Sequence, residues 1–209
     1  MVIHPHDLIE VSNLKYLSLY EDKEWVTASL RRTPFVVVRR ADPSADGCIP
    51  VGVRGQERNQ REAAFLDPKG VSQLVSPYAI VKRQMWNSLP TERRQQPVLQ
   101  LMDLLAEMMA DWRWGPAGSA GFEIVTQYPT VKETSDLDLV IDGSEVIDYA
   151  VAERLVHKLE HLGVRIDIQL ETRDGAYVLR EILERRASTV VLRTSSGPKL
   201  VRILGNKEL

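Results

Sequence analysis

The chain has 209 residues, 44% of them apolar and 27% charged, enough for a substantial core and ordinary for a globular protein. Its 27 basic and 29 acidic residues leave a net charge of −2, which excludes a global attraction to nucleic acid or anionic membrane and confines any anion site to a local cluster. A single cysteine, Cys48, excludes an intrachain disulfide; with no secretory pattern in the first residues and no apolar run of ~18–20 residues, the expectation is a cytoplasmic protein.

Taken in chain order, residues 35–39 and 49–53 are short β-branched runs on either side of a stretch dense in turn formers, 41–47. They read as a hairpin with a long loop. Residues 56–66 read as a short helix stopped by Asp67 and Pro68. The spacing of Val98, Leu101, Leu105, Met108, Met109 and Trp112 predicts an amphipathic helix over 91–112, capped by Thr91, with Pro97 marking a break or a second start. Its methionine-containing stripe is read as core.

A short strand near Trp114 then leads to Gly118-Ser119, a helical turn over 121–126, and a strand over 137–141. A helix is expected over 145–162 with Gly163 as its C-terminal cap, then a strand over 164–170 and a helix over 176–186. Strands over 189–193 and 199–204 flank a turn at 195–198. The expected fold class is α+β: a mixed sheet with helices over residues 89–209, preceded by a smaller N-terminal α/β domain over residues 1–88.

The chemistry-bearing stretch is Ser135-Asp-Leu-Asp-Leu-Val-Ile-Asp142. On a strand, residues two apart share a face at a spacing of about 6.7 Å. Asp136 and Asp138 would then project together while Leu137, Leu139 and Ile141 enter the core. Paired carboxylates are hard oxygen ligands suited to magnesium, which shares its coordination with waters and substrate phosphates. On the next strand Val164, Ile166, Ile168 and Leu170 alternate with Arg165, Asp167 and Gln169. If the two strands are neighbours, Asp167 completes the metal site or accepts a proton from the attacking hydroxyl; otherwise it belongs to a solvated polar face. Gly118 permits close backbone approach to a phosphate, and the Ser119 hydroxyl with nearby N–H groups at a helix start can hold its oxygens.

The ordered set Gly-Ser, Asp-x-Asp, then an acid on the following strand, resembles the polymerase-beta-type nucleotidyltransferase superfamily. Within it, residues 118–126, 129–132 and 134–140 resemble the malonate decarboxylase holo-acyl-carrier-protein synthase family (MdcG), also called phosphoribosyl-dephospho-CoA transferase. Residues 36–41 and Ile49-Pro-Val-Gly-Val-Arg-Gly55, followed by Arg58 and Gln60-Arg61, are similar to the same family. The resemblance implies transfer of a prosthetic group from 2′-(5″-triphosphoribosyl)-3′-dephospho-CoA to a serine of the apo acyl-carrier subunit of malonate decarboxylase, with release of pyrophosphate. It also implies that Asp136 and Asp138 are the catalytic pair; from the near-neutral charge, no nucleic-acid or membrane partner is expected. Magnesium would bridge the donor's phosphates, with Gly118, Ser119 and Lys132 around them.

Arg54, Arg58 and Arg61 are candidates for the donor's phosphates or ribose; Arg58 and Arg61 fall three apart and would share a helix face, which on its own describes a solvated basic face equally well. His4, His6, His157 and His161 lack the acid partners of a metal set and are expected at the surface or in helix packing. The Arg185-Arg186 pair with Lys199, Arg202 and Lys207 could meet an acidic carrier, or be merely solvated. Two other readings stand beside the main one: a different metal-dependent nucleotidyltransferase acting on a small molecule or RNA end, and a non-catalytic nucleotide-binding domain. Retention of both Gly-Ser and Asp-x-Asp argues against the latter.

Overall fold

A computed structural model describes residues 2–21, 23–57, 59–144, 148–184 and 189–202. Arg58, residues 145–147 of the expected helix, the Arg185-Arg186 pair and Lys207 lie outside these.

The first half is built on β1 (Leu8–Val11), β2 (Leu17–Leu19), α1 (Glu24–Arg32), β3 (Phe35–Val38), β4 (Ile49–Arg54), β5 (Arg61–Leu66) and β6 (Val71–Val75). The strands form one sheet in the order β2-β5-β4-β3-β1-β6, every pairing antiparallel. The expected hairpin is present, with Val38 opposite Val51 and Val37 opposite Gly52. Ile9, Val36, Val51, Val53, Ala64 and Leu66 line one face and pack with Val26 and Leu30 of α1. Alternation puts Gly52, Arg54, Arg61 and Ala63 on the other face.

The helix expected over 56–66 is a strand in its second half. Glu62, Ala64 and Leu66 are buried while Arg61, Ala63 and Phe65 are not, a period of two that pairs residue by residue with β4. Ladder pairing and a buried apolar face override the helical propensity of Glu and Ala. Arg61 therefore stands opposite Arg54 across a hairpin and shares no helix face with Arg58.

The second half contains α2 (Pro77–Lys82), α3 (Thr91–Arg94), α4 (Pro97–Gln100), α5 (Met102–Met108), β7 (Trp114–Pro116), α6 (Gly118–Thr126), β8 (Leu137–Asp142), α7 (Tyr149–Leu159), β9 (Ile166–Thr172), β10 (Gly175–Val178), α8 (Leu179–Leu183), β11 (Thr189–Thr194) and β12 (Gly197–Arg202). The sheet order is β12-β11-β10-β9-β8-β7; β8 and β9 are parallel, joined through α7, and the other pairs are antiparallel. The described residues make an α+β molecule with two six-stranded sheets. Val75, Ile80, Trp86, Val98, Met102, Leu105, Met109, Ile124, Leu139, Ile141 and Leu170 belong to the second core.

The single helix expected over 91–112 is three short ones. Pro97 opens the second, where its missing N–H costs nothing, and Leu101 separates the second from the third. The apolar stripe is core as read: Val98, Leu105 and Met109 are fully buried. The helix expected from 176 begins only at Leu179, because residues 175–178 pair with β9 as a strand. Asp148 caps α7 through the N–H groups of Ala150 and Val151, and Gly163 follows the helical segment in the left-handed conformation (φ +72°) that its capping role requires.

Candidate active site

The parallel register sets Asp138 of β8 opposite Asp167 of β9, Val140 opposite Gln169, and Asp142 opposite Glu171. Asp167, Gln169 and Glu171 thus alternate with the core residues Ile168 and Leu170 and share the face turned from them. Asp136 lies just before the first residue of β8, so it enters from the preceding loop rather than from the strand. Its charge nevertheless acts on Asp138.

Burial chiefly raises the Asp138 carboxyl above the usual carboxylate range, and the charges of Asp167 and Asp136 raise it further; His6 and Arg54 pull the other way. A half-buried acid facing two more acids is a site that gains from a cation. Hard oxygen donors fit magnesium. No group of three or more His, Cys, Asp or Glu among the described residues is gathered as a metal cage. An ion here would need substrate oxygens or water to complete its shell, the ordinary situation for magnesium.

The Gly-Ser turn reaches this acid by strand pairing. Pro116 of β7 stands opposite Leu139, and the next N–H, on Ala117, donates to the Asp138 carbonyl at 2.8 Å. Gly118 follows in the left-handed region (φ +55°), with its α-carbon pressed against the Asp138 side chain. A Cβ there would stand 2.9 Å from Asp138 Cγ and overlap Oδ2. Only glycine fits. Helix α6 starts at this point with no side-chain cap, so its first N–H groups face the acid region unclaimed by a capping side chain. The Ser119 carbonyl accepts from Thr130 Oγ1 at 2.9 Å, which ties the turn to the segment before the acids.

That segment is held from inside by a residue the motif reading passed over. Glu123 of α6 is fully buried, and its Oε2 accepts from the N–H groups of Thr130 and Val131, both at 2.7 Å. Arg93 of α3 grips the same carboxylate through Nε and Nη2 at 2.7 and 3.0 Å and donates to the Val131 carbonyl at 2.7 Å. A buried charge with all its bonds made fixes the loop that leads to Asp136. The signal available in sequence was a lone Glu inside an apolar helix.

The first sheet supplies the opposite wall. Arg54 places its guanidinium 5.9 Å from the Phe122 ring and acts on the charge of Asp138. Lys132 is exposed, with Nζ 4.0 Å from Glu57 Oε2. Arg61 is exposed at the far strand of its hairpin. Further along, Arg40 Nη2 holds Glu171 Oε2 at 2.6 Å, and His6 Nε2 lies 3.3 Å from Glu171 Oε1. Burial alone would raise the Glu171 carboxyl, but hydrogen bonds from His6 and Arg40 outweigh it and leave the group below its ordinary range. His6 holds this place from a left-handed backbone (φ +71°), a strained conformation for a non-glycine residue. The expectation of a surface or helix-packing role for His6 is therefore corrected: it bridges the two sheets. His157 and His161 do pack edge to face on each other at 4.9 Å.

Asp136, Asp138, Asp167, Gly118, Ser119 and Arg54 are thus drawn to one region between the sheets. Lys132 borders it across from Glu57, and Arg61 is carried there only as the strand partner of Arg54. No helix among the described residues is long and apolar enough to cross a membrane.

The family model described as the phosphoribosyl-dephospho-CoA transferase MdcG C-terminal domain matches residues 84–203, and that of the N-terminal domain matches residues 4–77. The phosphoribosyl-dephospho-CoA transferase of Pseudomonas fluorescens (strain Pf0-1) is 38% identical over 180 residues, covering 85% of this chain and 83% of the relative. That of Klebsiella pneumoniae (strain 342) is 33% identical over 204 residues, 98% of this chain and 97% of the relative. That of Azotobacter vinelandii (strain DJ / ATCC BAA-1303) is 34% identical over 198 residues, 94% and 92%. No solved structure matches. The chain belongs to the phosphoribosyl-dephospho-CoA transferase family, and it is a transferase.

Proposed function

We propose that the chain transfers the phosphoribosyl-dephospho-CoA group from 2′-(5″-triphosphoribosyl)-3′-dephospho-CoA to a serine of the apo acyl-carrier subunit of malonate decarboxylase. The serine oxygen attacks the phosphorus nearest the ribose, a phosphodiester forms, and the bond to the departing pyrophosphate breaks. We assign residues 89–209 as a polymerase-beta-type nucleotidyltransferase unit and residues 1–88 as the domain that adds donor contacts.

The observation that carries this reading is the rung shared by Asp138 and Asp167 beneath a glycine that opens a helix. Phosphoryl transfer asks little covalent chemistry of a protein and much placement and neutralisation. Asp136 and Asp138 would hold magnesium, whose charge offsets that of the donor phosphates. The first N–H groups of α6 and the Ser119 hydroxyl receive phosphate oxygens. Arg54 adds a cation from the other sheet, and Lys132 and Arg61 extend that basic edge. Asp167 is 42% exposed on its side chain, open to a serine presented by another protein, and takes the serine proton. Arg165 pairs with it at 3.2 Å from the same strand edge.

The test is the intact mass of apo carrier after incubation with donor, magnesium and this protein. The carrier gains one phosphoribosyl-dephospho-CoA group on its serine, and Asp136→Asn gives no gain. An unchanged carrier mass with the native chain overturns the reading.

A further inference from the structure

Beyond Asp167 the same face of β9 carries Gln169 toward an open cavity of about 560 Å³ between the two sheets. Its lining includes His6, Arg39, Arg40, Gln169 and Arg193, and no carboxylate among the described residues. Arg40 is committed to Glu171 at 2.6 Å. Among the described residues no carboxylate pairs with Arg39 or Arg193.

The two arginines come from opposite walls. Arg39 follows β3, and its stem lies over Gly52, where a Cβ would stand 3.5 Å from Arg39 Cδ. Arg193 arrives through pairing: Ala176 of β10 stands opposite both Glu171 and Arg193, so Glu171 and Arg193 belong to one row of the second sheet. Two planar forks of hydrogen-bond donors facing one cleft are built to grip phosphate oxygens from both sides.

The reacting phosphates are not the best occupant. The row of Glu171 is four residues along β9 from Asp167, or roughly 13 Å. A donor with the chemistry proposed above, on which this assignment rests, carries two separate anionic groups. One is the triphosphate. The other is the diphosphate that joins adenosine to pantetheine, and two linked riboses separate it from the reacting phosphorus. The acids at 136, 138 and 167 would repel that diphosphate unless it were held away from them.

We propose that the cavity between Arg39 and Arg193 is the binding site for the diphosphate of the donor's dephospho-CoA moiety, distinct from the triphosphate cradle at Gly118. Calorimetric titration of the full chain in magnesium-containing buffer tests this with two probes, dephospho-CoA and inorganic tripolyphosphate, on the native protein and on Arg39→Gln/Arg193→Gln. Dephospho-CoA affinity falls by about tenfold or more in the double variant. Tripolyphosphate affinity stays within about twofold, which also reports that the variant is folded. Equal dephospho-CoA affinity in the two proteins overturns the assignment alone. Loss of tripolyphosphate binding in a folded variant also overturns it, by placing the reacting phosphates in this cavity. Failure of the native chain to bind dephospho-CoA removes the functional reading together with the assignment.

Discussion

Asp138 and Asp167 occupy the same rung of adjacent parallel strands, so two carboxylates face one another across the β8–β9 ladder. Their juxtaposition gives the native state a local electrostatic cost that a bound cation would remove.

The raised Asp138 carboxyl fixes the sign of the first prediction. Its folded value lies above the ordinary 3.8, so its favourable contribution is complete below that value and is lost as pH rises through the folded one. Well above the ordinary value, at neutral pH, the acid therefore costs stability relative to a neutral side chain of the same shape. Asp138→Asn raises the Tm of the metal-free protein, by about 2–4 °C for each kcal/mol relieved in a chain of this size, while transfer falls by about 10²-fold or more. Scanning calorimetry in chelator and the carrier-mass assay check the two halves. A lower Tm in the variant would show that the carboxylate is held by favourable contacts instead.

Magnesium provides a second test of the same rung. It raises the Tm of the native protein in proportion to the logarithm of its concentration once the site is saturated, and it leaves Asp138→Asn unshifted. Equal shifts in both proteins would place the ion elsewhere.

Gly118→Ala puts a methyl group into the Asp138 carboxylate and forces a side chain into the left-handed region. The conformation alone costs roughly 1–2 kcal/mol, and a displacement of the acid by an ångström costs about 10²-fold in rate. Gly163→Ala is the control. Its backbone is equally left-handed but nothing lies near its Cβ position, so it loses about 1 kcal/mol and keeps transfer activity. Urea unfolding and turnover separate the two effects.

Removing Glu123 deprives half-buried Arg93 and the N–H groups of Thr130 and Val131 of their shared acceptor. Glu123→Ala should cost about 3–5 kcal/mol by urea unfolding. A loss under 1 kcal/mol would show that the loop at 129–131 does not depend on that carboxylate.

Glu171 has the opposite sign to Asp138. Its folded carboxyl lies below the ordinary 4.5, so its contribution is present above that value and disappears as pH falls through the folded one. Glu171→Gln is less stable than the native chain at pH 7 by roughly 1.5–3 kcal/mol, and the gap narrows on acidification below pH 4.5. Urea midpoints across that range read it directly; a gap that widens in acid would contradict the sign.

Several parts of this molecule were legible before any coordinates. The alternation over 164–170 put Asp167 opposite its core neighbours, and hydrophobic spacing placed Val98, Leu105 and Met109 inside. Those are local periodicities, and local physics expresses them. The strand over 61–66 was not legible, since Glu, Ala and Ala favour a helix until β4 offers a ladder. Nor was the partnership of Glu123 with Arg93, thirty residues apart, or of Glu171 with Arg40 and His6 from the other sheet. Charge pairs between distant segments leave no period in the chain. Asp136 is an intermediate case: its spacing from Asp138 is strand-like, yet the strand starts one residue after it.

The internal anchoring of residues 130 and 131 also limits how that segment can move. A segment whose amide hydrogens end on a fully buried side chain that Arg93 also grips cannot swing outward without breaking those bonds in the interior. It is a threshold rather than a door. On the transfer proposed above, the acceptor serine enters elsewhere than through residues 130 and 131.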